Sequence, residues 1–245
     1  ACLAVEMVID SRGHKTSHKF MRGLMRSKAR LTYEEVQAAA DGADVAAVPV
    51  GVIEPLYGAF RCLLAARRKR GALDLNLPER KVILADDGKV ASIEPRSVLD
   101  SHRLIEELMV LANVAAAETL EAKKHPCMYR VHETPDPEKV AALIMFLKGL
   151  DIPFGTSGVI RPQTFNALLA KVRGEGHETA VNELVLRSQS QAVYSPDNLG
   201  HFGLGLRRYA HFTSPIRRYS DLLVHRSLID ALGFGKDGLG NMENE

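Results

Sequence analysis

Residues 200–228, GHFGLGLRRYAHFTSPIRRYSDLLVHRSL, carry the most constraining pattern in this chain of 245 residues. Phe202, Leu204 and Leu206 alternate with Gly203 and Gly205, which predicts a strand whose backbone is open to close approach. Thr213-Ser214-Pro215 then predicts a helix start. Ser214 is the cap, and Pro215 takes the first helical position, where its missing N–H has no consequence. Ile216, Tyr219, Leu223 and Ile229 give that helix a partly apolar stripe. Arg217 and Arg218 fall in its first turn, where cations oppose the macrodipole and add nothing to helix stability. An anion held there gains from free N–H groups and from both guanidinium groups, and phosphate is the natural candidate. An ordinary capped surface helix with solvated arginines is the other reading of these residues.

Charge is unevenly placed although the net value is only +2. Between Ser11 and Arg30 stand Arg12, Lys15, Lys19, Arg22, Arg26, Lys28 and Arg30, with no acid among them. Basic residues spread over a strand-and-turn region fit an electrostatic track for a nucleic-acid backbone, with a solvated face as the alternative. Arg67-Arg68-Lys69-Arg70 closes a helical pattern beginning near Val52, and cations at that end are stabilising on structural grounds alone. A hydrophobic share of 46% and a charged share of 25% are those of an ordinary globular protein. No apolar run approaches the roughly 18 residues of a membrane span, so a cytoplasmic protein with no membrane role is expected. Cys2, Cys62 and Cys127 are odd in number and widely spaced, which argues for reduced thiols and against a disulfide framework.

Strands are predicted over 2–9 and 16–22, and a hairpin over 80–94. Asp86-Asp87 lies at the hairpin turn and is read as turn chemistry, not as a metal site. Helices are predicted over Tyr33–Ala40, with a Thr32/Glu35 capping box, and over 52–69. A long one covers Ser101–Lys123, burying Ile105, Leu108, Met109, Ala112, Ala116 and Leu120. Further helices run from Asp136-Pro137 to Gly149, over 161–173 and over 178–188, with a strand at 190–194. Strands and helices do not alternate regularly. That order predicts an α+β fold, a mixed and mainly antiparallel sheet packed with several helices.

The run HFGLGLRRYAHFTSPIRRYSDLLVHR resembles the signature of the ribonuclease II family catalytic domain, and most closely its ribonuclease R branch. RSKARLTYEEV (26–36), RGALDLNLPERKVIL (70–84) and SHRLIEELMVLANVAAAE (101–118) match the same family in the same order. The resemblance implies an RNB catalytic domain over residues 1–232, incomplete on its N-terminal side, with 233–245 a polar tail. It implies a processive exoribonuclease acting from the RNA 3′ end with Mg²⁺. The family's metal-binding aspartates precede every segment found here, so the ligands are expected upstream and no metal site is assigned to this chain.

The resemblance also implies roles for single residues. Arg217 matches the arginine that contacts the scissile phosphate; its planar fork suits charge building in a transition state. Ser214, the cap, and Arg218 are read as RNA-binding at the same helix start, where Arg218 faces elsewhere than Arg217 and either holds the backbone or pairs with Asp221. Tyr33 matches a residue that holds the terminal nucleotide. Glu106, with Glu107 as the adjacent alternative, matches the carboxylate that reads the ribose 2′-OH. Leu75 stands where some relatives place a base-stacking aromatic. The histidines show no metal spacing and are read as core or hydrogen-bonding groups. Three readings follow: a single-strand exoribonuclease, an inactive RNA-binding module, and a structural protein that reuses the fold. No protein partner is implied.

Overall fold

The computed structural model describes residues 1–75, 80–85, 87–95, 98–155 and 159–239. Strands β1 (Cys2–Ile9) and β2 (Lys15–Gly23) form an antiparallel hairpin, followed by helices α1 (Tyr33–Ala40) and α2 (Ile53–Arg70). A second hairpin, β3 (Arg80–Leu84) and β4 (Val90–Pro95), leads to the central helix α3 (Asp100–Lys123). Then come β5 (Tyr129–Val131), helices α4 (Pro137–Lys148), α5 (Pro162–Val172) and α6 (Glu178–Ser188), strand β6 (Val193–Ser195) and helix α7 (Tyr219–Leu232). β5 and β6 pair antiparallel. The architecture is α+β, with the sheet divided into three antiparallel pairs among the described residues. Asp86 itself lies outside those residues.

Local chemistry accounts for many of the boundaries. Asp10 folds the first hairpin by accepting the N–H groups of Arg12 (2.9 Å) and His14 (2.8 Å). Gly13 completes that turn at φ 76°, and a Cβ there would lie 2.1 Å from the Cys62 carbonyl oxygen of α2. Thr32 and Glu35 form the capping box of α1. Asp136 caps α4 through the N–H groups of Glu138 and Lys139, with Pro137 in the first turn. Gly71 ends α2 in the left-handed conformation, φ 74°.

Three apolar clusters hold these elements. The first joins β2, α3, β5 and α7 through Phe20, Ala115, Ala116, Leu120, Val131, Phe212 and Leu228. The second lies among α4, α5 and α6. The third packs Tyr57, Phe60 and Leu104 between α1, α2 and α3. Leu75 is half-buried and packs against the second cluster.

Three expectations are corrected. The run 200–206 is a tight turn and not a strand: His201 bridges Leu206, and the Gly205 N–H donates to the Phe202 carbonyl at 2.8 Å. The last helix begins at Tyr219, four residues later than the Ser214-Pro215 cap predicts. Residues 215–217 form a turn, and Arg218 is extended at φ −131° and ψ 119°, which breaks helical continuity. On α3, Ile105 and Met109 are 39% and 38% exposed, while Leu104 is buried. The helix runs through the centre of the chain, so its C-terminal half is covered on several sides and one stripe does not describe it. Cys127 is buried, whereas Cys2 and Cys62 are half-buried, and all three are free thiols.

Candidate functional site

Two supports carry the predicted site residues, the packed α1–α3 face and the turn before α7. Along α3, His102, Glu106 and Asn113 recur at helical spacing on a single side. Tyr33, the first residue of α1, stacks on the His102 ring at 4.0 Å and 19° and remains 41% exposed. One turn on, Glu106 has an open side chain (51% exposed), whereas the neighbouring Glu107 is buried. Arg67 pairs with both, its Nη1 donating to Glu107 at 2.7 Å and to Glu106 at 3.2 Å. Glu107 is therefore committed to the α2–α3 contact, and Glu106 is the carboxylate of the two that reaches solvent.

Asn113 joins this face to the second support. Its Nδ2 donates to the Tyr209 hydroxyl at 2.9 Å, and its Oδ1 accepts the Phe212 N–H at 2.9 Å. A polar residue within an apolar helix pattern was the available sequence signal for this anchor.

Beyond Phe212 the chain turns on Ser214, whose carbonyl accepts the N–H groups of Arg217 (3.3 Å) and Arg218 (3.1 Å). Ser214 therefore shapes a turn and does not cap a helix; its own N–H donates to Asp221 Oδ1 at 2.8 Å. Asp221 is fully buried and receives Arg218 through Nε and Nη2, both at 2.8 Å. That is the bidentate arrangement in which a guanidinium binds a carboxylate most strongly. Burial pushes the Asp221 carboxyl up, but the hydrogen bonds of Arg218 and Ser214 outweigh it and hold the group below its ordinary value. Arg218 is thus neutralised within the turn. Arg217 is exposed, its Nη2 lies 3.4 Å from Ser214 Oγ, and it has no carboxylate partner among the described residues. The basic pair accordingly precedes the helix, and Arg217 is its available cation.

Histidines form the floor behind the turn. His211 Nδ1 meets the Tyr194 hydroxyl at 2.8 Å, and burial with the nearby Arg218 pushes its imidazole down to about 4. Burial and His132 push His201 down to about 4 as well. His132 Nδ1 accepts the Gly203 N–H at 2.9 Å, and Phe212 stacks on His225. These are core and hydrogen-bonding roles. Within the basic segment, Arg12 pairs with Asp10, Lys15 with Glu118 and Arg22 with Asp237. Part of that segment is therefore structural, while Lys19, Arg26, Lys28 and Arg30 form no ion pair among the described residues.

Among the described residues no three His, Cys, Asp or Glu side chains converge to hold a metal. The buried acids beside the site already have cationic partners, Asp221 in Arg218 and Glu107 in Arg67. The described residues do not fit the magnesium that the resemblance implies. No helix among them is long and apolar enough to cross a membrane.

Comparison with known proteins gives consistent matches. The chain is 39% identical over 231 residues to ribonuclease R of Vibrio parahaemolyticus, covering 93% of this chain and 28% of that protein. It is 41% identical over 235 residues to ribonuclease R of Aquifex aeolicus, covering 33% of that protein. It therefore spans about a third or less of the length of these relatives. Mycoplasma genitalium RNase R, solved with ribose methylated single-stranded RNA, superposes at a TM-score of 0.86 with 28% identity, covering 93% of this chain and 36% of that one. Yeast Ssd1, a pseudonuclease, shares the fold at a TM-score of 0.70 and 20% identity, over 96% of this chain and 29% of that one. The RNB domain profile matches residues 1–233, a span that takes in the α3 face, the Arg217 turn and the residues bracing both. On this ground the chain belongs to the RNB domain family.

Proposed function

We propose that this chain is the RNA-holding and phosphate-clamping part of an exoribonuclease catalytic domain that hydrolyses single-stranded RNA from its 3′ end to 5′-nucleotides in the cytoplasm. Arg217 carries the reading. It is an exposed guanidinium without a carboxylate partner among the described residues, on a turn fixed by the buried Asp221. Relatives named ribonuclease R, one of them solved with single-stranded RNA, support the substrate class.

Each residue then has a stated task. Arg217 binds the scissile phosphate through two oxygens and stabilises the charge that grows there during hydrolysis. Ser214 adds a hydroxyl beside it. Arg218 acts through Asp221, holding the turn in shape. Glu106 accepts a hydrogen bond from the terminal ribose 2′-OH, a group DNA lacks. Tyr33 stacks on the terminal base. Magnesium enters this proposal as an ion held by carboxylates other than the described ones.

A second reading, RNA binding without hydrolysis, is favoured for this chain alone by the lack of a metal cluster among its described residues. The deciding experiment incubates the 245-residue chain with 5′-labelled single-stranded RNA and Mg²⁺, resolved on sequencing and native gels. Retarded but intact RNA is the expected result. A ladder shortening from the 3′ end would show that the chain holds its own metal. RNA that is neither retarded nor cut would refute the RNA reading.

A further inference from the structure

Resting on the RNA reading above, we infer that His102 is a positioning residue: its imidazole backs the Tyr33 ring so that one ring face stays presented to the terminal base. Both rings are fixed from behind. The Leu99 N–H donates to His102 Nδ1 at 3.2 Å, which makes Nδ1 the acceptor and leaves the proton on Nε2. The Tyr33 backbone starts α1 inside the Thr32/Glu35 capping box, and its carbonyl accepts the Ser101 hydroxyl at 2.8 Å. Gln37, one turn further along α1, accepts the Ser101 N–H at 3.1 Å. α1 is thereby bolted to the first turn of α3, and the two rings meet face to face at 4.0 Å. With one face backed by His102, Tyr33 remains 41% exposed.

Placement on α3 adds a second argument. His102 and Glu106 are four residues apart, so their Cβ atoms lie on adjacent turns of one helix face, about 5–6 Å apart. A base on Tyr33 would bring its own ribose towards Glu106. A tyrosine free to rotate would lose that register, because χ1 freedom must be removed before each base is bound.

The test uses the 245-residue chain and single-stranded RNA ending in 2-aminopurine at its 3′ terminus, a base whose fluorescence falls when it stacks. His102→Ala is expected to weaken binding about 2- to 12-fold and to relieve the quenching. His102→Phe, which restores a flat ring without the Nδ1 acceptor, is expected to recover most of the quenching. In a Tyr33→Ala background, His102→Ala is expected to change neither quantity, since its effect acts through that ring. Unchanged quenching in His102→Ala, or an equal loss of affinity in both backgrounds, would overturn the inference while leaving the RNA reading intact. A parent chain that retains no RNA would overturn both. Circular dichroism of each variant separates these outcomes from misfolding.

Discussion

Replacing Asp221 by Asn removes one charge from the centre of the Arg217 turn while keeping the volume. The carboxylate is fully buried and accepts from Ser214 N–H, from Arg218 Nε and Nη2 at 2.8 Å each, and from the Ser220 hydroxyl at 3.3 Å. An amide offers one oxygen to these donors and points its own N–H₂ at the rest. Breaking a buried pair costs about 3–5 kcal/mol when the surviving charge stays dry. Here the Arg218 side chain is 25% exposed and can rehydrate in part, so the pair accounts for about 2 kcal/mol. The stranded Ser214 N–H adds about 1 kcal/mol. A total of about 3 kcal/mol should lower the melting temperature by about 6–12 °C in a chain of this size.

The assay is thermal and urea denaturation of Asp221→Asn at pH 7 and pH 5.5, with RNA retention measured alongside. The pH comparison follows from linkage. A carboxyl whose folded value is depressed contributes its stability in full above its unfolded value near 4, and loses it as pH falls through the folded value. Both measurements lie above that window, so the deficit must be equal in the two. A deficit under about 1 kcal/mol, or one that vanishes between pH 7 and 5.5, would refute the account of the turn.

Under the proposed function, Arg217→Ala in a chain that also carries the metal ligands should lower kcat by about 10²- to 10³-fold while RNA affinity falls far less; equal losses in the two would contradict its transition-state role. His201 and His211 titrate near 4 in the folded chain against 6.5 ordinarily, so the unfolded chain binds more protons between those values. Stability should be full above pH 6.5 and fall towards pH 4, by up to about 3 kcal/mol for His201 and by less for the more solvated His211, read from urea midpoints across that range. Gly205→Ala places a Cβ at φ 61° and 3.2 Å from both Cγ and the carbonyl oxygen of Arg70, and should cost about 1–2 kcal/mol in the same assay.

Helices and hairpins set by local chemistry were legible in the sequence, because a capping box, an Asp-Pro start or an Asp-Gly turn states its geometry within a few residues. α1, α4 and both hairpins are of this kind. The start of α7 was not legible. Thr213-Ser214-Pro215 satisfies every local rule for a cap, yet Asp221 draws the Ser214 N–H and the Arg218 side chain onto itself and extends the backbone between them. The Gly-rich run failed as a strand for a similar reason. Alternation at Phe202, Leu204 and Leu206 is also produced when a turn packs against neighbours far away in sequence. His132 takes the Gly203 N–H, Arg70 Nε donates to the Leu204 carbonyl at 2.8 Å, and the Leu73 N–H donates to the Gly203 carbonyl at 2.7 Å. Glu106 and Glu107 both pair with Arg67, thirty-nine residues away from the first of them, and no periodicity encodes that pairing.

Most of the unusual residues between Gly200 and His225 face inwards, and this bears on how such a dense signature should be read. His201, Phe202, Tyr209 and His211 form one chain of ring contacts running from Tyr194 through His132 to Phe165, which sits in the α4–α6 cluster. Asn113 fixes the middle of that chain to α3, and Arg70 fixes its glycine turn to α2. These side chains already have partners within the fold, so their chemistry is consumed in fixing backbone positions. Arg217 differs from all of them: it is charged and exposed, and its guanidinium retains donors that neither Ser214 nor any carboxylate among the described residues engages. The α2 terminus and the α4–α6 cluster thus brace the glycine turn, Asn113 of α3 braces Tyr209 and Phe212, and Asp221 braces the following turn, on which Arg217 is left open. What the fold fixes is the Arg217 backbone; under the proposed function, binding of a phosphate would complete the placement of its guanidinium. Under the proposed function, substitutions at Asn113 or Asp221, which anchor the Phe212 and Ser214 backbone without touching the phosphate, should act on turnover through the position of Arg217.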